Sequence, residues 1–264
     1  MTDWLPYKLP SGGLPTLQCV TTWRGYVAGT YPMQVYWGGT DGSLWRSTTD
    51  PQSAFVQMST NSVVVTRLAV DDRDTLYGIN SSGKPVWYGN EAWTDLDFGD
   101  TTEGYPAVNV AVATDDDTAW FVMHDGQYYV YGPAMKTIEI MNYGFKAVAP
   151  TKAPDPSDSN SVGNGWAVLG WGQLAYSAGN DSGWVFKSGN NEMISGLVDV
   201  STSVGYAWLL KTDGSVWATK SGFKEQSVGT NFRAKSICGG QGDYCFAVNA
   251  DGAPYRTTDP TPMG

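Results

Sequence analysis

The sequence contains one histidine, so acid–base catalysis by an imidazole would have to centre on His124. This residue stands directly before Asp125 and Gly126, and a turn histidine is more often structural than catalytic. No serine or cysteine stands in a motif that would pair with it. The glycine-rich run GGQGDY at 239–244 joins two predicted strands and has no following helix, as a phosphate-binding loop requires. We therefore predict a protein that is not an enzyme and uses no cofactor.

Two runs of aspartate could supply oxygen ligands to a hard cation such as calcium. They are Asp71-Asp72-Arg73-Asp74 and Asp115-Asp116-Asp117. Neither run matches the spacing of an EF-hand loop or of a nonapeptide calcium repeat. We interpret both as solvated aspartates that form turns, and we predict no metal site.

The three cysteines are Cys19, Cys238 and Cys245. Their odd number and the absence of metal-ligand spacing indicate no disulfide framework. A bond between Cys238 and Cys245 on neighbouring strands stays open as an alternative, although the pattern favours buried free thiols.

Aromatic residues in two atypical connections are the best candidates for ligand contact, because exposed rings stack on sugars or anchor protein interfaces. The run TTWRGYVAGTYPM enlarges one connection, and Trp171 replaces the aspartate that usually opens a turn. The alternative is that these rings fill gaps in the core. The predicted ligand-binding residues are Trp23, Arg24, Tyr26, Tyr31 and Trp171.

These residues are set in an internal repeat. A turn glycine returns about every 42 residues, at Gly42, Gly83, Gly126, Gly172, Gly214 and Gly252. Six positions before each glycine lies an aromatic residue: Tyr36, Tyr77, Trp120, Trp166, Trp208 and Phe246. A second aromatic residue follows three or four positions after it: Trp45, Trp87, Tyr129, Tyr176, Trp217 and Tyr255. Two short strands around an Asp-Gly turn are typical of a β-hairpin, and we expect the repeated aromatic residues to lie in the core.

Each hairpin is preceded by a further apolar strand, and five of the six are followed by another. Four strands per repeat predict an all-β, six-bladed β-propeller with four-stranded antiparallel blades. The last repeat lacks its fourth strand, and the N-terminal run WLPYKLP is left over. We predict that this run completes the last blade and closes the ring. Residues 1–264 would then form a single domain, with a long fourth-blade loop at 150–164 on the same face as the aspartate runs and opposite Trp171.

Two repeats resemble known propeller families. SICGGQGDYCFAVNADGAPYRT resembles a tectonin repeat, and LVDVSTSVGYAWLLKTDGSVWAT is similar both to tectonin repeats and to those of the regulator-of-chromosome-condensation type. The first resemblance implies a lectin-like propeller that binds glycans, and the second implies protein–protein recognition. A shared fold does not choose between them.

Charge and apolar content exclude some classes of binding partner. The net charge of −10 disfavours nucleic acid and anionic membranes, and no apolar stretch is long enough to cross a membrane. The N-terminus lacks the pattern of a signal peptide, so we expect synthesis in the cytoplasm, with assembly into a virus particle as one destination.

The sequence therefore predicts a recognition module that binds without catalysis. The first hypothesis is a lectin-like protein that binds cell-surface carbohydrate through loop aromatics. The alternative is a protein-interaction component of a larger assembly, such as a bacteriophage tail or a capsid decoration.

Overall fold

Strands make up nearly all of the regular structure in the computed structural model. The described residues are 3–22, 33–60, 63–96, 98, 106–113, 118–132, 135–140, 144–152, 164–178, 184–186, 188–189, 192–203, 206–219, 225–240 and 243–258. The first thirteen strands are β1 (Trp4–Pro6), β2 (Leu17–Thr22), β3 (Gln34–Gly39), β4 (Leu44–Thr48), β5 (Val56–Ser59), β6 (Val65–Val70), β7 (Leu76–Asn80), β8 (Pro85–Gly89), β9 (Ala92–Asp95), β10 (Ala107–Val112), β11 (Ala119–Met123), β12 (Tyr128–Gly132) and β13 (Met135–Ile140). The others are β14 (Phe145–Lys152), β15 (Asn164–Leu169), β16 (Leu174–Ala178), β17 (Val185–Phe186), β18 (Ser188–Gly189), β19 (Glu192–Met193), β20 (Leu197–Thr202), β21 (Ala207–Lys211), β22 (Val216–Thr219), β23 (Glu225–Ser227), β24 (Ala234–Gly239), β25 (Cys245–Asn249) and β26 (Pro254–Thr257). No helix in these ranges is long and apolar enough to span a membrane.

Six antiparallel four-stranded sheets form the six blades of a β-propeller, which confirms the predicted fold. Blades 1 to 3 are β2–β5, β6–β9 and β10–β13; blades 4 and 5 are β14–β17 and β20–β23. The small hairpin β18–β19 lies between blades 4 and 5 along the chain. The first strands of successive blades contact one another in a closed cycle, so they surround the axis.

Blade 6 is built from both ends of the described chain, as predicted. Its strand order is β1-β26-β25-β24, with Trp4 opposite Thr257 and Pro6 opposite Tyr255. The Trp4 indole donates to the carbonyl oxygen of Val228 at 3.0 Å and stacks on Phe232 with ring centroids 4.0 Å apart. This pairing closes the ring and covers an edge that would otherwise be open.

The core consists of six apolar clusters, one in each gap between neighbouring blades. Consecutive residues of a strand pack into different gaps: Trp120 lies between blades 3 and 4, and Phe121 between blades 2 and 3. Each of the six aromatic residues that precede the turn glycines is buried against the next blade, as expected. These residues are therefore part of the scaffold.

The turns between second and third strands all lie at one end of the ring, here called the turn face. Their glycines have φ between 80° and 88°, where a side chain is strained. In every blade the amide that follows the second strand donates to the residue before the first strand, as from Thr40 to Thr16 and from Gly170 to Gly144. Five turn glycines also accept from the next blade, as Gly172 does from Leu197 at 3.0 Å. The opposite end, which carries the connections from first to second strands, is called the loop face.

Each first strand carries a β-bulge, which the repeat pattern did not predict. The register with the second strand shifts near the start of every first strand, and the residue after the shift is Cys19, Arg67, Asn109, Ala147, Asp199 or Ser236. Blade 4 has a second shift, between Pro150 and Lys152. A bulge bends its strand and redirects the side chains that follow. Four of the six residues, Arg67, Asn109, Asp199 and Ser236, line a cavity on the axis.

Candidate functional site

Of the five predicted ligand-binding residues, the structure describes one. Trp171 lies on the turn between β15 and β16 and is 61% exposed. Trp23, Arg24, Tyr26 and Tyr31 lie outside the described residues, so their role stays a prediction. Their segment joins β2 to β3 and starts from the loop face, whereas Trp171 lies on the turn face.

The surroundings of Trp171 are made largely of glycine backbone. Gly170 approaches Gly144, which begins the first strand of the same blade, and Gly172 approaches Gly196, which begins the next blade. A Cβ atom added at Gly144 or Gly196 would meet nothing within 4 Å. We call Gly144, Gly170, Trp171 and Gly196 the Trp171 patch.

The turn of blade 4 has an indole where the equivalent turns of blades 1 and 5 have a carboxylate that accepts hydrogen bonds. In blade 5 the Oδ1 atom of Asp213 accepts from the amide and the hydroxyl of Ser215, at 2.9 and 2.6 Å. In blade 1 Asp41 accepts from Ser43 in the same way. These bonds lower the carboxyl pKa of both aspartates. Trp171 cannot accept such bonds, and its indole donates to the amide oxygen of Gln173 at 2.6 Å.

The repeated aromatic residues near other turns are held differently. The indole of Trp217 donates to Ser215 at 2.9 Å, and the Lys211 ammonium lies 3.9 Å from the ring centroid. The indole of Trp45 likewise donates to Ser43. Both rings are half-buried and contact residues of their own turn, whereas Trp171 is exposed and lies within the turn itself.

The aspartate run in blade 2 forms a turn, but its first residue is not solvated as predicted. Asp71 is 2% exposed, and its Oδ1 atom accepts from the amides of Arg73 and Thr75 at 2.9 and 2.7 Å. Its other oxygen accepts from Tyr77, and Asp74 accepts a hydrogen bond from Tyr36 of blade 1. Burial is tolerated because these donors replace water.

No three potential metal-ligating side chains converge within the described part of the chain. Asp115–Asp117 lie outside it. His124 is exposed on the turn of blade 3, where its backbone amide donates to the carbonyl oxygen of Pro106 at 2.8 Å. The predicted long loop of blade 4 is shorter at its start, since β14 extends to Lys152, and residues 153–163 lie outside the described ranges.

Sequence analysis missed a polar cluster on the axis, formed by Arg67, Asn109 and Asp199. The amide nitrogen of Asn109 in blade 3 donates to Oδ1 of Asp199 in blade 5 at 3.2 Å. The Asn109 oxygen accepts from the amide of Val148 in blade 4. The charge of Arg67, in blade 2, acts on Asp199 across the axis. We call these three residues the axial cluster.

Electrostatics in the axial cluster are dominated by burial. Asp199 is 7% exposed, and desolvation raises the pKa of its carboxyl group. Arg67, the amide of Val200, Asn109 and Lys146 oppose this shift. Both hydrogen bonds that Asp199 accepts from described residues go to Oδ1.

An axial cavity of about 50 Å³ is lined by all six first strands and extends from the axial cluster towards the loop face. Its charged lining residues are Arg67 and Asp199, and its hydroxyl-bearing ones include Thr22 and Ser201.

The cysteines are buried free thiols, as favoured from the sequence. Cys238 lines the axial cavity, and Cys245 lies on the neighbouring strand. Burial raises the pKa of the Cys19 thiol to about 12 and that of Cys245 well above its usual value. Both are therefore protonated and unreactive at neutral pH.

No family model and no curated protein sequence matches the chain. Solved structures match it. A gluconolactonase from Xanthomonas campestris is 12% identical, with 96% of this chain and 88% of that chain covered and a TM-score of 0.67. The WD40 repeats of RRP9 are 10% identical, with 97% and 96% covered and a TM-score of 0.58. YCF48 bound to a D1 peptide is 12% identical, with 96% of each chain covered and a TM-score of 0.54. At these identities the similarity shows the propeller fold alone.

Proposed function

We propose that this propeller is a recognition module without catalytic activity and that it binds a protein partner through the Trp171 patch. The observation that carries the proposal is an exposed indole on a turn. Most of the equivalent turns have a stabilising aspartate at this position. Residues that break a local structural rule without a structural gain mark functional positions.

The chemistry of the patch suits a protein partner. Tryptophan is enriched among the residues that dominate the free energy of protein association, because a large ring fills a pocket on the partner. The glycines of the patch have no side chains, and a Cβ atom added at Gly144 or Gly196 would meet nothing within 4 Å. Among similar structures, YCF48 was solved bound to a D1 peptide, so one propeller of this shape binds a peptide.

The test is a screen of the purified chain against a protein array, with two variants measured in parallel. Trp171→Asp restores the common turn residue, and we expect it to weaken partner binding at least about 30-fold, as for a hot-spot residue. Leu9→Asp is the matched control, because Leu9 is also a large exposed apolar residue at 47%. Equal binding by wild type and Trp171→Asp would contradict the proposal.

A glycan is the second candidate ligand, favoured by the side-chain amide of Gln173 next to the exposed ring. An aromatic face stacks on a sugar, and a neighbouring amide binds its hydroxyl groups. A glycan array with the same variants separates the candidates. Saturable binding that is competed by free sugar and lost in Trp171→Asp would replace the protein partner by a carbohydrate.

The finer predictions stay hypotheses alongside this proposal. They are membership of the tectonin or chromosome-condensation type, assembly into a virus particle and the absence of catalysis. The similarity to a gluconolactonase does not bear on the last, since only 12% of residues are shared. Hydrolysis of a lactone by the purified chain would contradict it.

A further inference from the structure

We propose that the axial cavity is a binding site for a carboxylate group, held by Arg67 at the axial cluster. This site lies inside the ring and does not depend on the Trp171 patch. The carboxylate would come from a small organic acid or from the carboxyl terminus of a peptide.

The donors of Arg67 are the first step in the argument. Its Nη1 atom donates to the carbonyl oxygen of Thr66 at 3.1 Å. Its Nε atom is buried and has no hydrogen-bond partner, and no described residue accepts from Nη2. Nε and Nη2 form the edge of a guanidinium that binds a carboxylate through two parallel hydrogen bonds. Arg67 therefore lines the cavity, and the carboxylate-binding edge of its guanidinium has no partner among the described residues.

Charge around the axis favours an anion. Arg67 and Asp199 are the charged residues of the lining, and Lys146 and Lys235 lie outside it and act on the buried Asp199 and Cys19. When Asp199 is protonated, Arg67 is the one charged residue left in the lining, so the site is positive inside a chain of net charge −10. Low-dielectric walls strengthen the attraction of such a group for an anion.

Asp199 would share a proton with the ligand instead of repelling it. Desolvation already favours the protonated form of this carboxyl group. Because its hydrogen bonds from Asn109 and Val200 both go to Oδ1, a proton on Oδ2 can be donated to the incoming carboxylate.

The volume of the cavity limits the ligand to a small group. A cavity of about 150 Å³ accommodates benzene, and the axial cavity of about 50 Å³ is a third of that size. A carboxylate with one or two carbon atoms fits, whereas a sugar ring does not.

The alternative is that the axial cluster only joins the blades. Burying a charged pair is often neutral for stability, so its presence alone does not establish a structural role. The two roles differ in the effect of Asp199→Asn, which keeps the size of the side chain and is neutral without the proton that Asp199 must take up when an anion binds. A binding site gains affinity for an anion from this change, whereas a purely structural pair gains none.

The test is calorimetric titration of the full chain with potassium acetate, with potassium chloride at equal ionic strength as the reference. We expect saturable binding of acetate, at least tenfold weaker in Arg67→Lys, which keeps the charge and loses the two-pronged geometry. We expect binding several-fold tighter in Asp199→Asn. Lys84→Gln is the matched control, because Lys84 pairs with Asp95 at 3.6 Å on the surface. Its affinity should stay within twofold of wild type.

Binding of acetate no tighter than that of chloride would overturn the proposal, as would an unchanged affinity in Arg67→Lys. If that variant does not fold, Asp199→Asn decides, and an unchanged or weaker affinity overturns the proposal.

Two further ligands identify the source of the carboxylate. If triglycine binds at least tenfold tighter than acetate and triglycine amide does not bind, the ligand is the carboxyl terminus of a peptide. Acetate that binds while triglycine does not assigns a small acid. Trp171→Asp should leave every one of these titrations unchanged, so failure of this site and failure of the Trp171 patch are distinguishable.

Discussion

Blades 4 and 6 build the same four-stranded sheet under different demands. Blade 6 must join the two ends of the chain, and its outer strand is fixed by the Trp4 indole and by Tyr7, which is buried against Trp37 and Phe55. Blade 4 is continuous, its outer strand has two residues, and Val185 on that strand is 49% exposed. The turn of blade 6 keeps a side-chain hydrogen bond, from the amide of Ala253 to Asn249 at 2.8 Å. Blade 4 has Leu169 at the position of Asn249 and Trp171 at the position of Asp251. The blade that closes the ring keeps the turn pattern of the repeat, whereas blade 4 departs from it.

The largest effect should come from breaking blade 6. Deletion of residues 1–10 removes Trp4 and Tyr7 from the core, and large aromatic truncations cost about 3–5 kcal/mol each. We expect the midpoint of thermal unfolding to fall by more than about 10 °C. Leu9→Asp is the control within the same segment, and it should shift the midpoint little. An unchanged midpoint after the deletion would show that β1 does not close the ring.

The next largest loss of stability should come from crowding the turn glycine, which the turns of blades 4 and 6 share. In Gly252→Ala the new Cβ would lie 3.0 Å from the carbonyl oxygen of Leu17, and in Gly172→Ala it would lie 3.1 Å from that of Leu197. Both glycines also have a φ above 80°. We expect each variant to lose about 2 kcal/mol of unfolding free energy in urea titrations.

Gly196→Ala separates backbone strain from crowding in that experiment. Gly196 has a φ of 73°, but its Cβ would meet nothing within 4 Å. Gly196→Ala should lower the unfolding free energy by about 1 kcal/mol. A loss as large as that of Gly172→Ala would mean that contact with the next blade contributes nothing.

A smaller change in stability should come from the side chains of the turns, in which blades 4 and 6 differ. Asn249→Ala removes the hydrogen bond from Ala253 and should lower the unfolding free energy by about 1 kcal/mol. Trp171→Asp should raise it by about 0.5 kcal/mol, because aspartate can accept from the following amides as Asp213 does. A destabilised Trp171→Asp would indicate that the indole supports the fold.

The smallest effect concerns acid. Hydrogen bonds from Ser215 lower the carboxyl pKa of Asp213 below its usual value of 3.8. The stability that this carboxylate contributes is therefore present above that pH and is lost as the pH falls through the lowered pKa. Asp213→Ala should unfold with a weaker pH dependence below pH 4 than wild type in urea titrations. Trp171→Ala should match the pH dependence of wild type, since no carboxylate opens its turn.

Much of the scaffold was predictable because its residues are local and repeated. The six glycines and the aromatic residues before them identify the hairpins, and the unmatched Trp4 segment identifies the closing strand. The bulges were missed because the residues inserted there, such as Gln18 and Lys146, share no chemical type.

The axial cluster was missed because Arg67 and Asp199 are far apart in sequence and belong to opposite blades. Aligning the first strands would have placed Arg67, Asn109 and Asp199 in one column, which is the signal that the turn-based alignment left unused. The burial of Asp71 was missed because it depends on Tyr77 and on backbone donors that fold around it.

Because blade 6 brings the two described ends of the chain together, the ring could be opened at another position. The amide of Thr258 donates to the carbonyl oxygen of Asp3 at 2.9 Å, and Asp3 donates back to the Thr258 hydroxyl, so the two described ends of the chain are adjacent. A short linker between them, combined with a cut at another turn, would give a circular permutant that keeps all six blades. Its new termini could be placed beside the Trp171 patch or away from it, so a reporter could be attached to a chosen sector of the ring.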